Sequence, residues 1–382
     1  MSAGTVGAAA AQVEKSVPIE KNAQVDEYPM RRWVFEDSIG RYDIDLGDSH
    51  VQCGHAGQFT VPADLELNYG FDRGSAALRE RVAARYGGDA EQVVITHGAQ
   101  EALYLLYCTL LRPGDRVLAF RPGWQQATDA PRRLGADVQV VDLAEDFSLD
   151  LAAIERVAAG GLRLITLNTP GNPSGRRIRD TELAAVRAIA ERCGAYLVVD
   201  EEYLIELTES AALSGPRTIS VSSLSKIAGL PGLRVGWMYG PADLVSACAE
   251  YKHLTTISTS VLCETLAVEA LSNWAHYRAE YDRLTAIGLE HLHAFVGRHA
   301  DLMRLQPPEG TPFAWLQLAP GNSSLELSRA MLDAGVLLMP GETLGKPGGI
   351  RISFAREAPV ITEGLARFDQ VLSDSDSQKR SV

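Results

Sequence analysis

Residues 161–200 read GLRLITLNTPGNPSGRRIRDTELAAVRAIAERCGAYLVVD, and this stretch decides the fold. Leu162–Asn168 is a short apolar run. A loop with two prolines and two glycines follows, Asn168-Thr-Pro-Gly-Asn-Pro-Ser-Gly175. Asp180–Arg192 places its apolar residues at helical spacing. Ala195–Asp200 is apolar again until it closes on an acid. Strand, helix, strand at this spacing implies parallel pairing with a right-handed crossover. Continuously apolar strands belong in a sheet covered on both faces.

The same alternation extends outward. Val93–Thr96, Arg116–Phe120, Val138–Asp142, Thr218–Ser222 and Arg234–Tyr239 read as strands. Gln100–Leu111, Pro122–Leu134 and Leu151–Ala159 read as helices, with Pro113-Gly114 and Gly135 as stops. After Pro241 the pattern turns helical to about His299. Residues 303–372 then mix strands (Ala314–Leu318, Val336–Met339, Ile350–Phe354) with helices (Ser324–Ala334, Pro359–Leu372). The expected fold is α/β: a large domain with a mostly parallel sheet under helices, plus a smaller α+β domain. The expected division is an N-terminal arm over 1–45 that joins the small domain. The large domain then spans 46–277, the small domain 278–372 and a flexible tail 373–382. The first 25 or so residues, small, polar and aperiodic, are expected to be mobile.

The chain has 382 residues, 46% of them hydrophobic and 22% charged, which is ordinary globular composition. Its net charge of −13 comes without any dense basic run, so nucleic-acid binding has no support. No apolar stretch reaches the roughly 18 residues of a membrane helix. The Ala-rich start lacks the basic residues of a signal peptide. Cys53, Cys108, Cys193, Cys248 and Cys263 are scattered and odd in number, against a zinc site or a disulfide framework. A cytoplasmic location without a metal is therefore expected. Lysine is scarce: Lys15, Lys21, Lys226, Lys252, Lys346 and Lys379 are all there is, which narrows the search for a covalent one.

In an open parallel sheet, function gathers beyond the carboxyl ends of the strands. Four unusual segments sit there. Gly98-Ala99-Gln100 opens a helix and can present free N–H groups to an anion, although a plain turn would look the same. The 168–175 loop offers Asn168 and Asn172. Asp200 ends an apolar strand, where a carboxylate is costly unless paired, or is simply a helix cap. Tyr203 brings a phenol to the same place. The richest segment is Ser222-Ser-Leu-Ser-Lys-Ile-Ala-Gly-Leu-Pro-Gly-Leu-Arg-Val-Gly236. Ser223, Ser225 and Arg234 suit a phosphate, and Lys226 suits a covalent bond to a carbonyl if its pKa is lowered.

These segments, in this order from about Tyr69 to Arg351, resemble the class I/II aminotransferases among the fold-type I pyridoxal-phosphate enzymes. The resemblance implies pyridoxal 5'-phosphate as cofactor and an amino-acid substrate. It implies Lys226 as the residue that holds the cofactor and moves the α-proton, with Asp200 on the ring nitrogen. Asn172 and Tyr203 would bond the ring oxygen. Ala99, Gln100, Ser223, Ser225 and Arg234 would hold the phosphate, and Trp124 would stack on the ring. Arg351, in Gly348-Gly-Ile-Arg351, matches the arginine that grips the substrate carboxylate, with Gly47 and Asn172 beside it. Tyr69 matches a tyrosine that reaches the neighbouring subunit's phosphate, which implies a homodimer.

The N-terminal part, from Tyr28 to Phe59, departs from ordinary aminotransferases and is loosely similar to capreomycidine synthase and related biosynthetic enzymes. Trp33, His50 and His55 are expected to read the substrate side chain. The expected function is transamination of an α-amino acid or an amino-acid-like intermediate, in amino-acid metabolism or antibiotic biosynthesis. The alternative is another pyridoxal-phosphate reaction: elimination or replacement, cyclisation, or decarboxylative or oxidative deamination. The intact set of Lys226, Asp200, Arg234 and Arg351 opposes a non-catalytic binding module.

Overall fold

The computed structural model describes residues 28–380, with side chains to 374. The expectation of a mobile N-terminus falls outside the described residues.

A seven-stranded sheet is built in the order β2-β8-β7-β6-β5-β3-β4. Its strands are β2 (Val93–Thr96), β3 (Arg116–Arg121), β4 (Asp137–Asp142), β5 (Leu164–Asn168), β6 (Tyr196–Asp200), β7 (Thr218–Ser223) and β8 (Gly236–Tyr239). Neighbours from β4 to β7 pair parallel, whereas β8 pairs antiparallel with both β7 and β2. The reversal follows from the connection. Parallel neighbours need a crossover that carries the chain back. Ser223 reaches Gly236 through a Gly/Pro-rich loop without an α-helix. β2 and the strands from β3 to β7 therefore run the same way, and their carboxyl ends share one edge.

Alternate side chains on each strand enter different cores. Val117, Leu164 and Val198 pack under the helices Ala99–Leu110 and Ala242–Lys252, while Leu118, Ile165, Leu197 and Val199 pack under Leu151–Ala158 and Asp180–Cys193. This two-sided burial is why the strands read as unbroken apolar runs.

A second, four-stranded antiparallel sheet has the order β12-β13-β10-β9, from β9 (Met303–Gln306), β10 (Phe313–Leu318), β12 (Met339–Pro340) and β13 (Gly349–Ser353). The segment read as one strand over Val336–Met339 splits in two. Val336–Leu337 (β11) pairs parallel with Ile44–Asp45 (β1), whereas Met339–Pro340 pairs with β13. β9 escaped the sequence reading. Helices Trp274–Arg298 and Ala358–Arg380 cover this sheet, and Ile44, Leu46 and Val51 from the N-terminal segment complete its core. The last helix runs on to Arg380, past the Leu372 where the sequence pattern ends. Residues 122–125, expected to be helical, form a turn, and the helix begins only at Gln126.

Candidate active site

The strand ends of the large sheet meet a cavity of about 150 Å3 lined by Ser49, Ala99, Gln100, Trp124, Asn172, Asp200, Glu202, Tyr203, Ser225, Lys226 and Arg234, among others. Most of the residues singled out in the sequence therefore converge, although they span more than a hundred positions.

Asn168, at the end of β5, lines the cavity and also frames the loop. Its amide donates to the Asp200 carbonyl at 3.0 Å, and its Oδ1 accepts from the Asn172 N–H at 2.6 Å. Asn172 Oδ1 in turn accepts from Arg351 Nη1 at 2.8 Å. Arg351 lies on β13, where Ile350 and Ile352 face the small core and alternation turns the arginine the other way. It is buried, its Nη2 donates to the Gly47 carbonyl at 2.5 Å, and its Nε has no partner. Burial pulls its pKa down, and nearby Tyr203 and Asp48 oppose the shift.

Asp200 is pushed up to about 8, chiefly by burial and then by the charge of Glu202, while Lys226 pulls the other way. Lys226 Nζ donates to Ser49 Oγ at 2.9 Å. Burial works against its charge, but Tyr203, Glu202 and Asp48 outweigh that and hold its pKa above the ordinary lysine value. The lowered pKa expected for this lysine is thus not produced by the chain's own side chains. The acids around it decide the direction. Tyr203 is buried edge-on against Phe313, with ring centroids 5.0 Å apart, and its pKa is raised by burial.

The opposite end of the cavity is made by the start of helix Ala99–Leu110. Gly98 has φ +75°, and a Cβ on Gly236 would lie 2.5 Å from the Ala99 nitrogen. The two glycines let backbone approach the helix N-terminus, whose N–H groups attract an anion. Arg234, itself left-handed at φ +53°, donates to the carbonyls of Pro231 and His97, at 3.0 and 3.3 Å, and makes no ion pair among the described residues. Trp124 Nε1 donates to Gln100 Oε1 at 2.8 Å. Ser225 lines the cavity, but Ser223 does not: its hydroxyl donates to Glu202 and its Oγ accepts from the Ser225 N–H.

The N-terminal candidates behave differently from expectation. Trp33 is 2% exposed and donates to the Leu338 carbonyl, so it belongs to the core. His50 bonds Asp48 at 3.0 Å and the Val51 carbonyl at 2.6 Å. Burial would lower its pKa, but Asp48 outweighs this and lifts it to about 9, so it forms an ion pair rather than a poised acid or base. His55 is exposed and lies outside the cavity lining. Tyr69 is 80% exposed and also stands outside the lining, in an apolar stripe with Leu67 and Phe71. Two polar lining residues were missed by sequence reasoning. Ser49 had no local signal, since its partner is 177 positions away. Glu202 was readable as an acid between Asp200 and Tyr203.

Residues 63–368 match the aminotransferase class I and II family. The chain belongs to that family. An arginine–pyruvate transaminase of Pseudomonas aeruginosa is 32% identical over 366 residues, 86% of this chain and 88% of that one. A capreomycidine synthase of Streptomyces vinaceus is 29% identical over 314 residues, 78% and 79% of the two chains. The solved structure of a PLP-dependent cyclase superposes with a TM-score of 0.82 at 28% identity, over 92% of this aminotransferase-family chain and 98% of the other.

Pyridoxal 5'-phosphate is the cofactor this family implies. The donor set fits it. A buried carboxylate without a bonded cation suits a protonated ring nitrogen. A glycine-cleared helix start beside an arginine without a carboxylate partner suits a phosphate. No cluster that could hold a metal ion occurs among the described residues, and no described helix is long and apolar enough to cross a membrane.

Proposed function

We propose that this enzyme transfers the amino group of an α-amino acid, or of an intermediate carrying that unit. The observation that carries the reading is Arg351. It is a buried guanidinium with an orphaned Nε, held by Asn172 and Gly47 and close enough to Lys226 for their charges to interact. A carboxylate is the ligand whose planar pair of oxygens matches that fork.

On this reading each site residue has a part to play. Arg351 binds and orients the substrate carboxylate. Lys226 would hold the cofactor covalently and would move the substrate α-proton. Asp200 holds the proton at the ring nitrogen. Tyr203 and Asn172 would bond the ring oxygen, and Trp124 would cover the ring and exclude water. Ala99 and Gln100 N–H groups, Ser225 and Arg234 would hold the phosphate; Ser223 supports Ser225. When bound, pyridoxal 5'-phosphate supplies the electron sink that makes the substrate Cα–H acidic. The exposed stripe of Leu67, Tyr69 and Phe71, each over 70% exposed, supports a homodimer in which Tyr69 serves the neighbouring site.

Likeness to the cyclase favours one competing reading, in which the same proton abstraction leads to elimination or ring closure. A single turnover with an accepted amino acid separates the two. Transamination leaves pyridoxamine phosphate and one equivalent of keto acid. Return of the starting cofactor spectrum with release of ammonia, water or carbon dioxide would replace it with the second reading.

A further inference from the structure

Ser49 is 8% exposed, and its hydroxyl is the hydrogen-bond partner of Lys226 Nζ, at 2.9 Å. Ser49 also acts on the neighbouring Tyr203 phenol, opposing the rise in pKa that burial causes there. It is delivered from outside the large sheet. Ser49 follows β1, whose pairing is with β11, and the segment is then stitched along the lysine loop: Val51 N–H donates to the Lys226 carbonyl at 3.2 Å, and Gly54 N–H to the Gly229 carbonyl at 2.9 Å. Gly229 is left-handed, and a Cβ there would lie 2.6 Å from the Gln52 carbonyl, so the two strips run in close contact. Two residues before Ser49, the Gly47 carbonyl caps Arg351.

We propose that Ser49 is the positioning residue of Lys226: a hydroxyl from the N-terminal segment holds the lysine amine against Tyr203 and stabilises its protonated form. The groups facing Lys226 are Asp200, Glu202 and Tyr203 from the end of β6, Asp48 from the N-terminal segment, and Arg351 from β13. Of these, none makes a direct hydrogen bond to Nζ; Ser49 does. An ammonium donates more strongly than a neutral amine, so the bond favours the charged lysine. The short path from Gly47 to Ser49 also ties the carboxylate-binding arginine to the lysine that does the chemistry. The proposal rests on Lys226 being the cofactor lysine.

The test uses the full chain freed of cofactor. Only a neutral amine attacks a carbonyl, so the rate of pyridoxal 5'-phosphate attachment, followed by visible absorbance across pH, reports the proton on Lys226. Ser49→Val and Ser49→Thr have the same shape and differ by the hydroxyl. The Val variant should show a midpoint about one pH unit below wild type, the value of one hydrogen bond to a charged group. The Thr variant should stay close to wild type. Coincident midpoints for Val and Thr would overturn the proposal, and circular dichroism of both variants identifies a loss of fold. Borohydride trapping on the same samples keeps the two readings apart. A label elsewhere than Lys226 refutes the cofactor assignment, whereas a label on Lys226 with coincident midpoints refutes Ser49 alone.

Discussion

Asp200 and Glu202 place two carboxylates side by side at the end of β6, with the Glu202 N–H donating to Asp200 Oδ1 at 3.1 Å. The backbone aims Asp200 into the cavity while the neighbouring charge, added to burial, raises its proton affinity. Such a carboxyl is ready to share a proton with a ring nitrogen.

Asp200 therefore gives the cofactor-free protein a definite pH dependence. Its folded pKa of about 8 lies above the unfolded value of about 4. The folded state binds the proton more tightly, so this contribution to stability is complete below about pH 4 and is lost as pH rises through about 8. Asp200→Asn should remove that loss. By calorimetry, the variant should melt above wild type at about pH 8.5 and lose this advantage near pH 5. Equal pH slopes for the two proteins would contradict the assignment.

Lys226 is predicted to carry the pyridoxyl group after borohydride reduction, by peptide mass mapping. The competing lysine in the core, Lys252, is fully buried and donates to the carbonyls of Asp72 and Ile95 at 3.0 and 2.9 Å, so its amine is committed. A label on Lys252 or Lys346 would show that the cavity is not the cofactor site.

Arg351→Ala should raise KM far more than it weakens cofactor binding. A desolvated carboxylate left without its partner loses about 2–5 kcal/mol. Arg351→Lys should recover little, since a point charge does not reproduce the fork. Equilibrium binding of cofactor and steady-state kinetics together decide; a loss confined to cofactor affinity would remove Arg351 from the substrate.

Tyr69 is predicted to act on the site of the neighbouring subunit. Inactive Lys226→Ala and inactive Tyr69→Ala subunits, when mixed, should restore one good site per heterodimer. Heterodimers that form and stay inactive would confine each site to its own chain.

Much was legible in the chain by itself. The strands β5 and β6 were readable because each is buried on both faces, which leaves an unbroken apolar run such as Leu164–Leu167 ahead of a polar end. The reactive residues were readable because chemistry demands particular types at strand ends: an acid at Asp200, a lysine among hydroxyls at Lys226, an arginine in a glycine-rich strand at Arg351. The turn at 122–125 was misread because Trp124 and the helix after it share one apolar pattern.

What only the tertiary structure decided are the relations between segments far apart in the chain. The direction of β8 depends on a loop that returns without a crossover. The split of Val336–Met339 between two sheets depends on Ile44–Asp45 arriving from the N-terminal side. The parts played by Trp33, His50 and Ser49 were set the same way. Sequence type left all three eligible for the pocket, yet Trp33 is taken by the Leu338 carbonyl, His50 by Asp48, and only Ser49 reaches Lys226. Local periodicity encodes which face of an element is buried, because burial repeats along the chain. It does not encode which distant partner satisfies a polar side chain, because that choice is made by packing.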